Sequence, residues 1–368
     1  MIKKKKILSI VGARPNFMKV APLHRAIIKS GLFEHSILHT NQHYDDLMSK
    51  IFFKEFGLPK PKINLHSGSS SHAVQTATIM VEFEKVLPKL KPDLIVVVGD
   101  VNSTVACSLV AKKLGISVAH IESGLRSFDR TMPEEINRIV TDSISDYLFV
   151  SEESGMINLK KEGISKEKTF FVGNIMIDTL VSLQKEIDKS EIKEKYKLNG
   201  SDFILVTMHR PSNVDNKNKL GEIIKLLNEF TNYGKVFFPI HPRTRKMLEN
   251  YNLFKKLSSN KKIIITNPLG YIDFISLTKN CKVVVTDSGG IQEESTFLKV
   301  PCITMRENTE RPITIKVGSN ILAGTNSKNI IDHVEKIFKN NIKSSKIPKY
   351  WDGNTATRIV HHLNEKLN

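Results

Sequence analysis

Three acids stand where buried strands run out. Asp100 closes Val98-Gly99-Asp100, just beyond a run of five aliphatic residues. Glu122 closes Val118-Ala119-His120-Ile121-Glu122, and Glu134 follows Met132-Pro133 at what reads as a helix start. Taken singly, Asp100 suits a helix N-cap, and any one acid suits the first turn of a helix. Three at the same edge of one sheet are harder to dismiss. Clustered carboxylates perturb one another's proton affinity, so one can hold a proton while another removes one. That is general acid–base chemistry.

The second half of the chain ends its strands differently. Val206-Thr207-Met208-His209-Arg210 and Pro239-Ile240-His241-Pro242-Arg243 each place a histidine directly after an apolar run. Val285-Thr286-Asp287-Ser288-Gly289-Gly290-Ile291-Gln292-Glu293-Glu294 reads as a strand, a small-residue turn and a helix start. Bare backbone N–H groups at such a turn suit a diphosphate, and Glu294, one turn later, is in reach of ribose hydroxyls. An ordinary tight turn with a capped helix is the competing reading. Thr309-Glu310-Arg311-Pro312 adds a cation. Near the start, Arg14 and Lys19 lie five residues apart at another strand-to-helix turn and suit a phosphate or carboxylate. The chain has no GxGxxG and no Walker lysine loop, which argues against a dinucleotide dehydrogenase or a P-loop NTPase. Cys107, Cys281 and Cys302 lie far apart without metal spacing, so they read as core residues and no metal site is expected.

These residues need a scaffold, and the chain of 368 residues supplies one. Apolar, β-branched runs at 7–11, 36–40, 93–99, 118–122, 147–150 and 169–172 alternate with helix-length intervals. Six more follow at 203–207, 236–240, 262–266, 283–286, 302–305 and 321–323. Continuous apolar strands of this kind belong to parallel sheets covered on both faces. The expectation is an α/β fold of two doubly wound, Rossmann-like domains facing a cleft, with ligands beyond the carboxyl ends of the strands. The first domain is set at 1–180, the second at 181–352, and a terminal helix at 353–368 packs back on the first. No apolar run reaches membrane length. The lysine lead at 1–6 precedes an apolar stretch too short for a signal peptide, so a cytoplasmic protein is expected. Lys and Arg number 55 against 38 Asp and Glu, a formal charge of +17. The lysines are spread over helix-like segments without interleaved aromatics, so no nucleic-acid partner is expected, and an anionic small molecule fits better.

The combination of Pro133-Glu134-Glu135-Ile136-Asn137-Arg138, Asp287 to Glu294 and Thr309-Glu310-Arg311-Pro312 resembles the non-hydrolysing UDP-N-acetylglucosamine 2-epimerases. The resemblance runs from Gly12-Ala13-Arg14-Pro15 to the Asp352-Gly353 turn. It implies the GT-B arrangement of two Rossmann-like domains, a homodimer, a UDP-sugar substrate and no cofactor. It also implies that Asp100, Glu122 and Glu134 are the acid–base carboxylates. By the same resemblance Arg14, His209, Ser288, Gly289, Gly290 and Arg311 contact phosphate or leaving group, and Glu294 holds the ribose. Phe274 lies by the uracil, and Lys19, Arg138 and His241 are further active-site positions. The implied reaction removes the C2 proton as UDP leaves C1, then returns both to the resulting 2-acetamidoglucal from the other face. A related UDP-sugar such as UDP-2,3-diacetamido-glucuronate is the alternative substrate, and a GT-B glycosyltransferase the alternative activity. One departure stands out. Many bacterial relatives carry an arginine after Gln-His in a loop that binds an activating second UDP-GlcNAc; here Asn41-Gln42-His43-Tyr44-Asp45 has Tyr44 and an added carboxylate. The expectation is an enzyme that needs no such activator.

Overall fold

The computed structural model describes residues 4–42, 55–68 and 70–367, so the loop at 43–47 lies outside the described residues. Two compact units emerge: Met1–Ser182 with Lys349–Asn368, and Leu183–Pro348.

The first unit holds a seven-stranded parallel sheet. Its strands are β1 (Lys6–Val11), β2 (Glu34–His39), β3 (Ile63–Asn64), β4 (Leu94–Val98), β5 (Ser117–Ser123), β6 (Tyr147–Val150) and β7 (Thr169–Phe171), in the order β3-β2-β1-β4-β5-β6-β7. The second unit holds six: β8 (Phe203–Thr207), β9 (Lys235–Pro239), β10 (Ile263–Thr266), β11 (Val283–Thr286), β12 (Cys302–Thr304) and β13 (Asn320–Leu322), in the order β10-β9-β8-β11-β12-β13. Both orders reverse once, beside β1 and β8, which is the doubly wound pattern. All twelve apolar runs are strands. β3, a two-residue edge strand, is the addition, because Ile63-Asn64 offers no apolar run for a pattern to find. β4 is buried at every position, as expected of a strand covered on both faces.

Local chemistry starts the helices that follow. After β1, Asn16 accepts from the backbone N–H groups of Gly12 and Ala13 and donates to the Val98 carbonyl, fixing the Arg14–Ser30 helix against β4. The chain's end belongs to the first unit. Asp178 accepts from the N–H groups of Thr355 and Ala356, at 3.1 and 2.7 Å, and so caps the terminal Thr355–Leu367 helix. Such a cap contributes about 1 kcal/mol. Cys107, Cys281 and Cys302 are buried in the two cores, and burial pushes their thiols up, to about 11 for Cys302. No helix among the described residues is long and apolar enough to cross a membrane.

Candidate active site

In the first unit, the carboxyl ends of β4 and β5 carry two of the three acids. Asp100 follows β4 and meets the buried Arg138 guanidinium at 2.5 Å, leaving its own side chain 31% exposed. It is therefore not the cap of the next helix; Val101 is. Arg138 is held in turn by Glu135 at 2.6 Å, whose carboxylate also accepts from the N–H groups of Ser127 and Phe128. Burial alone would raise the proton affinity of Glu135. The Ser127 and Phe128 N–H groups and Arg138 outweigh it and hold the carboxyl below its ordinary range.

Glu122 ends β5 almost fully buried, with one oxygen 2.5 Å from the Lys19 ammonium and the other without a hydrogen-bond partner among the described residues. Its φ is +71°, a left-handed conformation rare outside glycine. Gly99, at φ +70°, makes room for the pair: a Cβ there would lie 3.3 Å from the Lys19 nitrogen and 3.5 Å from the Glu122 oxygen. Glu134 stands exposed in the first turn of the Pro133–Ile144 helix, and no hydrogen bond ties it to Asp100 or Glu122 among the described residues. Arg14 opens the helix after β1.

In the second unit, β8 and β11 end side by side. His209 Nδ1 lies 3.0 Å from the buried Asp287 carboxylate, which also accepts from the N–H groups of His209 and Arg210 and from the Asn213 amide. Burial favours the protonated acid, but His209, Arg210 and Asn213 hold Asp287 below the usual carboxylate range. His241 caps the Pro242–Asn250 helix, its ring 5.2 Å from that of His209. After β11, Ser288, Gly289 and Gly290 lead into the Gly289–Leu298 helix without a side-chain cap, leaving its first N–H groups for a ligand. Gly289 is closely approached: a Cβ there would lie 2.7 Å from Arg311 Nη1 and 2.8 Å from Glu310, so those side-chain ends would have to shift. Arg311 is braced by Glu310 at 2.5 Å and Glu293 at 2.8 Å. Glu294 is buried one turn into the helix, and Phe274 packs partly buried against the core beside β8 and β11.

Thus Lys19 meets Glu122, Arg138 meets Asp100, and Arg311 lies against Gly289. From the sequence alone Asp287, Asp142 and His120 have no assigned role. Asp287 carries the same signal as Asp100, an acid just after a buried aliphatic strand. The others carry no local signal, because they act by contacts between distant segments. Among the described residues no cluster of His, Cys, Asp or Glu has the makings of a metal site. The two units thus differ in chemistry: carboxylates suited to moving protons in one, backbone N–H groups and cations suited to an anion in the other.

The family model for UDP-N-acetylglucosamine 2-epimerase matches residues 25–364. A protein of Methanocaldococcus jannaschii named UDP-N-acetylglucosamine 2-epimerase is 49% identical over 97% of this chain and 98% of its own. A crystal structure from that organism, in complex with UDP-GlcNAc and UDP, superposes with a TM-score of 0.91 at 48% identity, covering 98% of this chain and 99% of its own. The Pseudomonas aeruginosa UDP-2,3-diacetamido-2,3-dideoxy-D-glucuronate 2-epimerase is 38% identical over 97% of this chain and 99% of its own.

Proposed function

The chain belongs to the UDP-N-acetylglucosamine 2-epimerase family, a group of isomerases of the GT-B fold, and from that premise we propose that it interconverts UDP-GlcNAc and UDP-ManNAc. The observation that carries this reading is the near-full-length 49% identity to a relative of that name, against 38% for the diacetamido-glucuronate enzyme.

The chemistry follows from what each unit offers. The C2 hydrogen of the sugar is not acidic, so its loss must be coupled to departure of UDP. A carboxylate takes the C2 proton, the freed electron pair forms the C1=C2 bond, and the C1–O pair leaves with UDP. The product pair is 2-acetamidoglucal and UDP. A proton delivered to the opposite face of C2, with return of UDP to C1, completes the epimerisation. Asp100, Glu122 and Glu134 serve as the acid–base carboxylates. Glu122 suits the role: Lys19 holds one oxygen, while the other meets no donor among the described residues that would compete with a substrate proton. Ser288 and the N–H groups at Gly289 and Gly290, with Arg311, Arg14 and His209, stabilise charge growing on the departing diphosphate. Glu294 holds the ribose, Phe274 borders the uracil, and Lys19, Arg138 and His241 order the site. The reading also includes a homodimer acting in the cytoplasm, checked by light scattering and cell fractionation.

The test is turnover of both nucleotide sugars in deuterium oxide. Deuterium at C2 of product and recovered substrate, with traces of UDP and 2-acetamidoglucal, is expected from UDP-GlcNAc. Retention of the original hydrogen would overturn the elimination. Preferential turnover of UDP-2,3-diacetamido-glucuronate would move the substrate to the second reading, which the 38% relative supports.

A further inference from the structure

Glu122 is held in a left-handed backbone conformation that is strained for a non-glycine residue. The strand pairing also breaks there, for the β5–β6 register shifts between Ile121 and Ser123. Such a conformation persists only where its surroundings impose it. Beside the Lys19 contact, those surroundings include one buried carboxylate. One oxygen of Asp142 lies 2.7 Å from His120 Nδ1, two residues before Glu122. The other accepts from the Gly124 N–H at 3.0 Å, two residues after it, and from Arg126 at 2.7 Å. Asp142 thus grips both flanks of the strained residue.

His120 extends the grip to the other strand. Its Nε2 reaches the Gly99 carbonyl at 2.8 Å, beside Asp100. A carbonyl only accepts, so Nε2 donates, and Nδ1 donates to the carboxylate that Arg126 and Gly124 also engage. Imidazole and carboxylate are completely buried, so neither is placed to touch a substrate. Arg138, which fixes Asp100, lies four residues before Asp142 on the same helix and the same face. One helix therefore sets the positions of both strand-end acids.

We propose that Asp142 and His120 are positioning residues that hold Glu122 in its reactive placement; this rests on the reading of Glu122 as an acid–base carboxylate. The test is a double-mutant cycle on the full chain. Asp142→Asn should lower kcat tenfold to a hundredfold, with the KM for UDP-GlcNAc and the Kd for UDP within about threefold of wild type, and should slow deuterium wash-in at C2 in parallel. In the Glu122→Gln background the same substitution should cost nothing further, because the group it positions is already gone. A purely structural role would cost the same factor in both backgrounds, and that result would overturn the proposal, as would wild-type kcat in Asp142→Asn. His120→Gln, which leaves Asp142 on Arg126 and Gly124, carries the same test if Asp142→Asn fails to fold. Wild-type turnover of Glu122→Gln alone would overturn the reading of Glu122, and this inference with it.

Discussion

Each unit pairs a histidine on or just after a strand with a buried aspartate, and the two pairs are built for different work. In the first, both nitrogens of His120 end on acceptors inside the protein and the ring is wholly covered. In the second, Asp287 holds only one edge of His209, whose side chain is 40% exposed. The aspartate does the same thing in both: it fixes the ring and neighbouring backbone N–H groups with charge-assisted hydrogen bonds. Only the surroundings differ. A ring whose bonds all close inside the protein can act only through what it positions, whereas one with an open edge can meet a ligand. On the proposed function the same contrast runs through the units, proton-handling carboxylates in one and anion-holding groups in the other.

Substitutions that separate turnover from nucleotide binding test this division most strongly. Asp100→Asn, Glu122→Gln and Glu134→Gln should each lower kcat by about 10² or more while leaving the UDP affinity measured by calorimetry unchanged. An equal loss of UDP affinity would erase the distinction between the units. The converse experiment is Glu294→Ala, expected to weaken UDP by about tenfold, the scale of one lost hydrogen bond of about 1.4 kcal/mol. A variant that kept full UDP affinity and lost turnover would place Glu294 among the catalytic groups instead.

The first unit should also carry a distinct acid sensitivity. His35, whose Nδ1 lies 2.8 Å from that of His24, is pushed down to about 3 from an ordinary 6.5, chiefly by burial and then by His24. Between those values the unfolded chain binds a proton that the folded one refuses, so stability falls as pH drops below 6.5. Unfolding free energies from denaturant titrations at pH 7.5 and 5.0 should differ by about 2 kcal/mol more in wild type than in His35→Gln. Equal differences would remove His35 as the cause.

The smallest effect is an expected absence. Rate against UDP-GlcNAc should be hyperbolic, and UDP-ManNAc alone should turn over. Tyr44 and Asp45 lie outside the described residues, but two nearby glutamines are occupied. Gln42 accepts from the Ser103 N–H and hydroxyl, and Gln75 bridges the Gln42 and Gly68 carbonyls while accepting from Asn102. A sigmoidal curve would refute this.

The sequence by itself determined the strands and what stands at their ends, because a fully covered parallel strand must be aliphatic and the polar residue after it must sit at the sheet's edge. Asp100, Glu122, His209 and the Ser288-Gly289-Gly290 turn were legible for that reason. Which groups meet was decided by tertiary structure. Lys19 and Glu122 are 103 residues apart, and His209 and Asp287 78. Their pairing depends on strand order, β1 beside β4 beside β5 and β8 beside β11, which no local pattern encodes. The Pro133–Ile144 helix makes the point most sharply. Apolar periodicity would turn Ile136 inward, yet Ile136 is exposed while Glu135, Asn137, Arg138, Thr141 and Asp142 are buried. The polar face goes inward because its charged and amide groups find partners there, Arg138 on Asp100 and Glu135, Asn137 on the Asp100 carbonyl and Asp142 on His120, and burial of a charge is tolerated only where it is paired and hydrogen-bonded.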